Sequence, residues 1–172
     1  MNFLSEANVA LHKEYLRTLK LKRVIFEKSY SGISDVGFKR EYELNIPRSE
    51  KDELFELNRK IISHELFFSS FGASGRRCEA VKNAYGSEAK FLYVLLCGCL
   101  ESRGEFMYIF LDKNGEIRFT DDYRKLKVIP KIAVDLCEHA YFYDFGFDRH
   151  EYLRKALSRL DLLKIANKVE KN

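Results

Sequence analysis

The sequence predicts an α+β fold: an N-terminal antiparallel helical hairpin, followed by an α/β lobe with a three-stranded antiparallel sheet flanked by helices. Three observations predict it. Two long segments within residues 1–72 repeat their aliphatic residues at helical spacing. "EFMYIFLDKNGEIRFTDD" sets two runs rich in β-formers around Asn114-Gly115, the dipeptide that favours a type I′ hairpin turn. "VIPKIAVDL" adds a third such run, after which helical period returns. The expected division is a helical-hairpin lobe over 1–72 and an α/β lobe over 73–172.

Each element follows from local signals. "LSEANVALHKEYLRTLKLKRVIFEK" reads as the first helix, with Ser5 as N-cap and Leu4, Val9, Leu11, Leu16, Leu19 and Val24 as its apolar positions. Gly32 and Gly37 break it. Pro47 and Ser49 open the second helix, and Leu54, Leu57, Ile61 and Leu66 line its stripe until Gly72 and Gly75 close it. These two helices are long enough to pair as a hairpin. "GRRCEAVKNAYG" and "SEAKFLYVLLCGCLESRG" are two further helices, the second strongly apolar. The segment from "EHAYF" to "KVE" returns to helix, and only the "KVEKN" tail is expected to be disordered.

Composition excludes several classes. A chain of 172 residues, 46% apolar and 33% charged, is ordinary for a soluble globular protein. The net charge of +4 is mild and its signs are interleaved, as in "RSEKDELFELNRK", so neither nucleic acid nor a membrane is an expected partner. That balance still favours a small anionic substrate. No signal peptide is read at the start, and no apolar run is long enough to span a bilayer. Cys78, Cys97, Cys99 and Cys137 form no CxxC pair, which fits a reducing cytoplasm better than a disulfide framework.

The chain has four histidines. His12 and His64 fall on the two long helices, His139 just past the third strand, and His150 at the start of the last helix. Asp135 stands four residues before His139. Three imidazoles and a carboxylate from separate elements could converge where the hairpin meets the sheet, a donor set suited to Fe, Mn or Zn. On spacing alone the simpler reading wins: single helical histidines are commonly packed or solvated, and Asp135 could simply cap the helix near Glu138.

"VDLCEHAYFYDFGFDRHEYL" resembles the C-terminal signature of the iron/manganese superoxide dismutases, D-x-W-E-H-A-Y-Y followed by D-Y-x-x-x-R-x-x-Y-I. Asp135, Glu138, His139, Ala140, Tyr141, Asp144, Arg149 and Tyr152 fall in register, with Cys137 in place of the aromatic. "ISHELFFSSFG" is similar to the N-H-x-L-F-W segment and puts His64 on its ligand. "LFELNRKIISHELFF" resembles a shorter, Firmicutes-type branch. "RGEFMYIFLDKNGEIRF" sits where the family has its G-W-x-x-L strand and hairpin.

The resemblance implies one Fe or Mn ion per chain, held by His12, His64, Asp135 and His139. It implies an antioxidant oxidoreductase converting superoxide to dioxygen and hydrogen peroxide. It also implies a homodimer, with Glu138 reaching the partner's ligand histidine and Tyr141 nearby. Two registers of the first helix are open. Aligning "LSEANVALH" and "LKRV" puts His12 on the ligand and Lys20 where the family's gateway tyrosine belongs. Aligning "HKEYL" keeps Tyr15 as gateway but leaves Ala7 at the ligand position. The first is preferred, because it needs no gap and His12 is the only histidine of that helix. Where the family fixes its solvent ligand with a glutamine, this chain has Lys60 on the helix and "TDDYRKL" near the hairpin. The walling tryptophans are replaced around Phe68, Glu105, Met107 and Leu162. These departures leave a second expectation, a metal-binding or scaffold protein with little or no dismutase activity.

Overall fold

The computed structural model of the chain describes residues 3–29, 48–72 and 78–166. The expected breaks at Gly32 and Gly37, Pro47, Gly75 and the tail from Lys168 lie outside the described residues. The element order is α1 (Glu6–Ser29), α2 (Arg48–Ser69), α3 (Glu79–Tyr85), α4 (Glu88–Glu101), β1 (Phe106–Leu111), β2 (Ile117–Thr120), a 3₁₀ turn (Tyr123–Lys125), β3 (Ile132–Asp135), α5 (Glu138–Phe145), α6 (Arg149–Leu157) and α7 (Leu163–Ala166). This is the predicted α+β arrangement.

Ser5 caps α1 as expected, its Oγ accepting the Asn8 N–H at 3.2 Å. The buried face of α1 differs from the aliphatic stripe. Asn8, His12 and Leu19 are buried, whereas Leu11 and Val24 are exposed. The reason is the partner: α1 packs on α2 and α5, and the face it turns inward carries polar side chains bonded across that junction. On α2 the expected stripe is kept at Leu54 and Ile61, joined by Asn58, Ser63, His64 and Phe67. Ser70, just past α2, accepts the Ala133 N–H at 2.9 Å and so pins the helix end to β3.

The sheet has the order β2-β1-β3 and is antiparallel throughout. Its hairpin closes differently from the type I′ expectation. The Gly115 N–H reaches the Asp112 carbonyl at 2.9 Å, so Lys113 and Asn114 are the central residues and Gly115 follows them at φ 80°. Asp112 is the cause: its Oδ1 accepts the N–H groups of Asn114 and Glu116, drawing the turn back by one residue. β3 is buried at every position, between its neighbour β1 and α2. It ends at Asp135, paired with Phe106. One continuous apolar core joins Phe3, Leu4 and Phe67 to the sheet, α4 and α6. Among the described residues no helix is long and apolar enough to cross a membrane.

Candidate metal centre

Asp135 organises the centre. Its Oδ1 accepts the Cys137 N–H at 2.9 Å, the turn that starts α5. The helix-capping role therefore uses one carboxylate oxygen and leaves the other. Oδ2 faces three imidazoles, 3.2 Å from His139 Nε2, 3.6 Å from His12 Nε2 and 3.7 Å from His64 Nε2. His12 Nε2, His64 Nε2 and Asp135 Oδ2 are buried with no hydrogen-bond partner. Donor atoms about 2.1 Å from a common ion stand roughly 3–3.6 Å apart at angles of 90–120°, so the separations of His139 and His12 from Oδ2 fit donors to one cation. The candidate atoms of His12, Asp135 and His139 all lie within 4.8 Å of one another. His64 Nε2, 3.7 Å from Oδ2, falls outside that set, more than 4.8 Å from the donor nitrogen of at least one other imidazole.

The imidazoles are oriented from behind. His12 Nδ1–H donates to the Asn8 carbonyl at 3.2 Å and to Asn8 Oδ1 at 3.0 Å. His64 Nδ1–H donates to the Lys60 carbonyl at 2.7 Å. With oxygens facing both Nδ1 atoms, each Nε2 carries the lone pair. Asn8 is itself fixed, its Nδ2 donating to the Ala140 carbonyl at 3.1 Å and to Asp144 Oδ2 at 3.0 Å. Asp144 also accepts the Ser5 N–H at 2.8 Å. Tyr152, fully buried, donates its hydroxyl to the Asp135 carbonyl at 2.8 Å. Arg149 turns away from the centre and caps α4, reaching the Cys99 carbonyl at 2.9 Å.

The electrostatics follow the packing. Burial pushes the Asp135 carboxyl up, but the imidazoles of His12, His139 and His64 outweigh it and hold the group well below the usual carboxylate range. Burial lowers His64, against the opposing pull of the Lys60 carbonyl and Asp135. His139 is less enclosed, its side chain 43% exposed. Burial lowers it too, but Asp135 and then Glu105 prevail and raise it, with Lys60 opposing.

Aromatic rings wall the cluster where the tryptophans are missing. Phe67 stacks on His12 at 5.7 Å, Phe68 meets His12 edge-on at 6.2 Å, and Phe106 meets His64 edge-on at 5.1 Å. Tyr15 lies 5.2 Å from His64 and 5.4 Å from His139, centroid to centroid. His12 and Tyr15 thus stand at the cluster together, three residues apart on one face of α1. Lys20 lies further along α1. It pairs on the surface with Glu65 at 2.6 Å, both side chains about half exposed, where its ammonium keeps its water. Glu138 is exposed at the start of α5. Tyr141 is buried and stacks on Tyr152 at 5.2 Å, one ring removed from Asp135. Cys137 donates its thiol to the Glu105 carbonyl at 3.6 Å. Glu105 itself pairs with Arg59 at 2.6 Å and Lys60 at 3.4 Å, while Met107 and Leu162 belong to the core. Sequence reasoning missed Asn8, Phe67 and Phe106. Asn8 had one available signal, a polar residue four before His12 on the same helical face.

No curated protein matches the chain. Residues 70–168, more than half of the chain, match the family described as "Iron/manganese superoxide dismutases, C-terminal domain". Asp135 and His139, with the supports that Asp144 and Tyr152 give the cluster, fall inside that span, and the chain belongs to the iron/manganese superoxide dismutase family.

Proposed function

We propose that the chain holds a single iron or manganese ion through His12, His64, Asp135 and His139, and that it dismutates superoxide. The observation that carries this reading is the convergence of buried lone-pair atoms lacking any hydrogen-bond partner on one carboxylate oxygen. Leaving such atoms unpaired is costly unless a cation satisfies them. Two ligands come from the lobe over 1–72 and two from the lobe over 73–172, so the site closes only when both are folded.

When bound, the ion supplies one-electron chemistry, accepting an electron from one superoxide and passing one to another. The residues supply the rest. The Nδ1 bonds of His12 and His64 hold their Nε2 lone pairs inward. Asp135 contributes a fixed negative charge that offsets part of the ion's. Phe67, Phe68 and Phe106 keep water from the inner side, and Tyr15 covers the side reached along α1.

The exposed edge of the centre supports a homodimer. Glu138 and His139 lie beside Phe142, Tyr143 and Phe147, which are 50%, 63% and 88% exposed. A two-fold contact there would cover these rings and bring Glu138 to the partner's His139, as the resemblance implies. Four free thiols are in keeping with a reducing cytoplasm.

A second reading is favoured by one observation. The position of the family's helix glutamine is held by Lys60, whose ammonium turns to Glu105, so the metal centre could persist in a binding or scaffold protein with little turnover. Superoxide removal by the metal-loaded chain, with His64→Ala as control, separates the two. Removal that the control loses supports the enzyme. A loaded chain that removes none leaves the scaffold.

A further inference from the structure

We propose that Lys60 is a positioning residue, the positive charge that draws and seats a small monovalent anion beside the histidine cluster; this rests on the metal-centre reading above. Lys60 is anchored at the cluster by its own backbone, since its carbonyl accepts the His64 Nδ1–H at 2.7 Å. Its side chain lines, with Tyr15, a cleft of about 550 Å³ between α1 and α2. Tyr15 in turn faces His64 and His139. Tyr15 thus borders both the cleft and two of the imidazoles, and Lys60 lines the same cleft. Lys22, Glu53 and Glu56 also line it, so its charged lining is two cations and two carboxylates.

The neighbouring charges leave Lys60 available. Arg59, only 13% exposed, takes one oxygen of Glu105 at 2.6 Å and bonds Glu56 at 2.7 Å. Glu56 also holds Arg124 at 2.9 Å. Three cations thus share two carboxylates, and the network carries a net positive charge. Lys60 is its loosest member, 3.4 Å from Glu105 and one-third exposed. Glu105 tethers the ammonium near the cluster, and Arg59 satisfies most of Glu105. A neutral amide at this place would orient a solvent molecule; an ammonium attracts an anion.

The test uses azide as a monovalent anion, titrated into the metal-loaded protein and followed by its visible absorption. Lys60→Met should weaken azide binding about tenfold, and Lys60→Arg should retain most of it. In the unaltered protein, affinity should fall as ionic strength rises. Azide affinity equal in Lys60→Met and the unaltered protein, or indifferent to salt, overturns the assignment of Lys60 while leaving the metal centre standing. A protein that takes up no metal overturns both.

Discussion

Replacing Asn8 by alanine removes a side chain that joins α1, α5 and an imidazole of the candidate centre. Three hydrogen bonds go: to the Ala140 carbonyl, to Asp144 Oδ2 and from His12 Nδ1. Asp144 keeps the Ser5 N–H, and His12 Nδ1 keeps the Asn8 carbonyl, which alanine retains. The Ala140 carbonyl lies inside α5, where the Asp144 N–H is its helical partner, so it too keeps a bond. A bond replaced in part costs about 0.5–1 kcal/mol, so the three together cost about 1.5–3 kcal/mol. Urea unfolding of the metal-free protein reads this directly, as a lower midpoint at unchanged slope. Metal affinity, measured by chelator competition, should fall about 10–100-fold, because His12 loses the bond that fixes its ring. Asn8→Asp should do worse than alanine, since it faces a second carboxylate toward Asp144 and the Ala140 carbonyl. A change below about 0.5 kcal/mol, with metal affinity intact, would refute the claim that Asn8 sets the ligand geometry.

Other perturbations probe the surroundings. Burial raises the Glu105 carboxyl, but Arg59 and then Lys60 outweigh it and hold the group below its usual value; its contribution is therefore present above about pH 4.5 and lost as pH falls through the depressed value. Glu105→Gln should accordingly cost about 0.5–1 kcal/mol at neutral pH, given the partial exposure of the pair, and in urea melts the gap should close as pH falls through the depressed value. Gly104→Ala should destabilise by about 1–3 kcal/mol, because a Cβ there would sit 2.7 Å from the Asp121 Cβ and 3.0 Å from its carbonyl; a melting temperature equal to that of the unaltered protein would contradict this. Tyr152→Phe removes the hydroxyl from the Asp135 carbonyl and should cost about 1 kcal/mol in thermal or urea unfolding, with the fold kept.

Much of this arrangement was legible before any coordinates. Helical period and the Asn114-Gly115 signal located the elements, because those signals are local. The spacing of Asp135 and His139 placed a carboxylate and an imidazole at the same end of the sheet. What local pattern could not carry was which side of a helix is buried. On α1 the aliphatic residues pointed to Leu11 and Val24, yet the packed face is Asn8, His12 and Leu19. That choice depends on α5, whose Ala140 and Asp144 bond to Asn8 from more than a hundred residues away. The place of Lys20 is likewise set from elsewhere, by Glu65 on another helix. The hairpin missed by one residue because the Asp112 carboxylate outcompeted the dipeptide preference.

Metal content of the purified chain and of its Asp135→Ala and His139→Ala variants tests the central claim most directly. The account predicts a single iron or manganese ion per chain in the unaltered protein and its loss from both variants, since Asp135 Oδ2 is the atom that all three imidazoles approach. Full metal occupancy in both variants would contradict it.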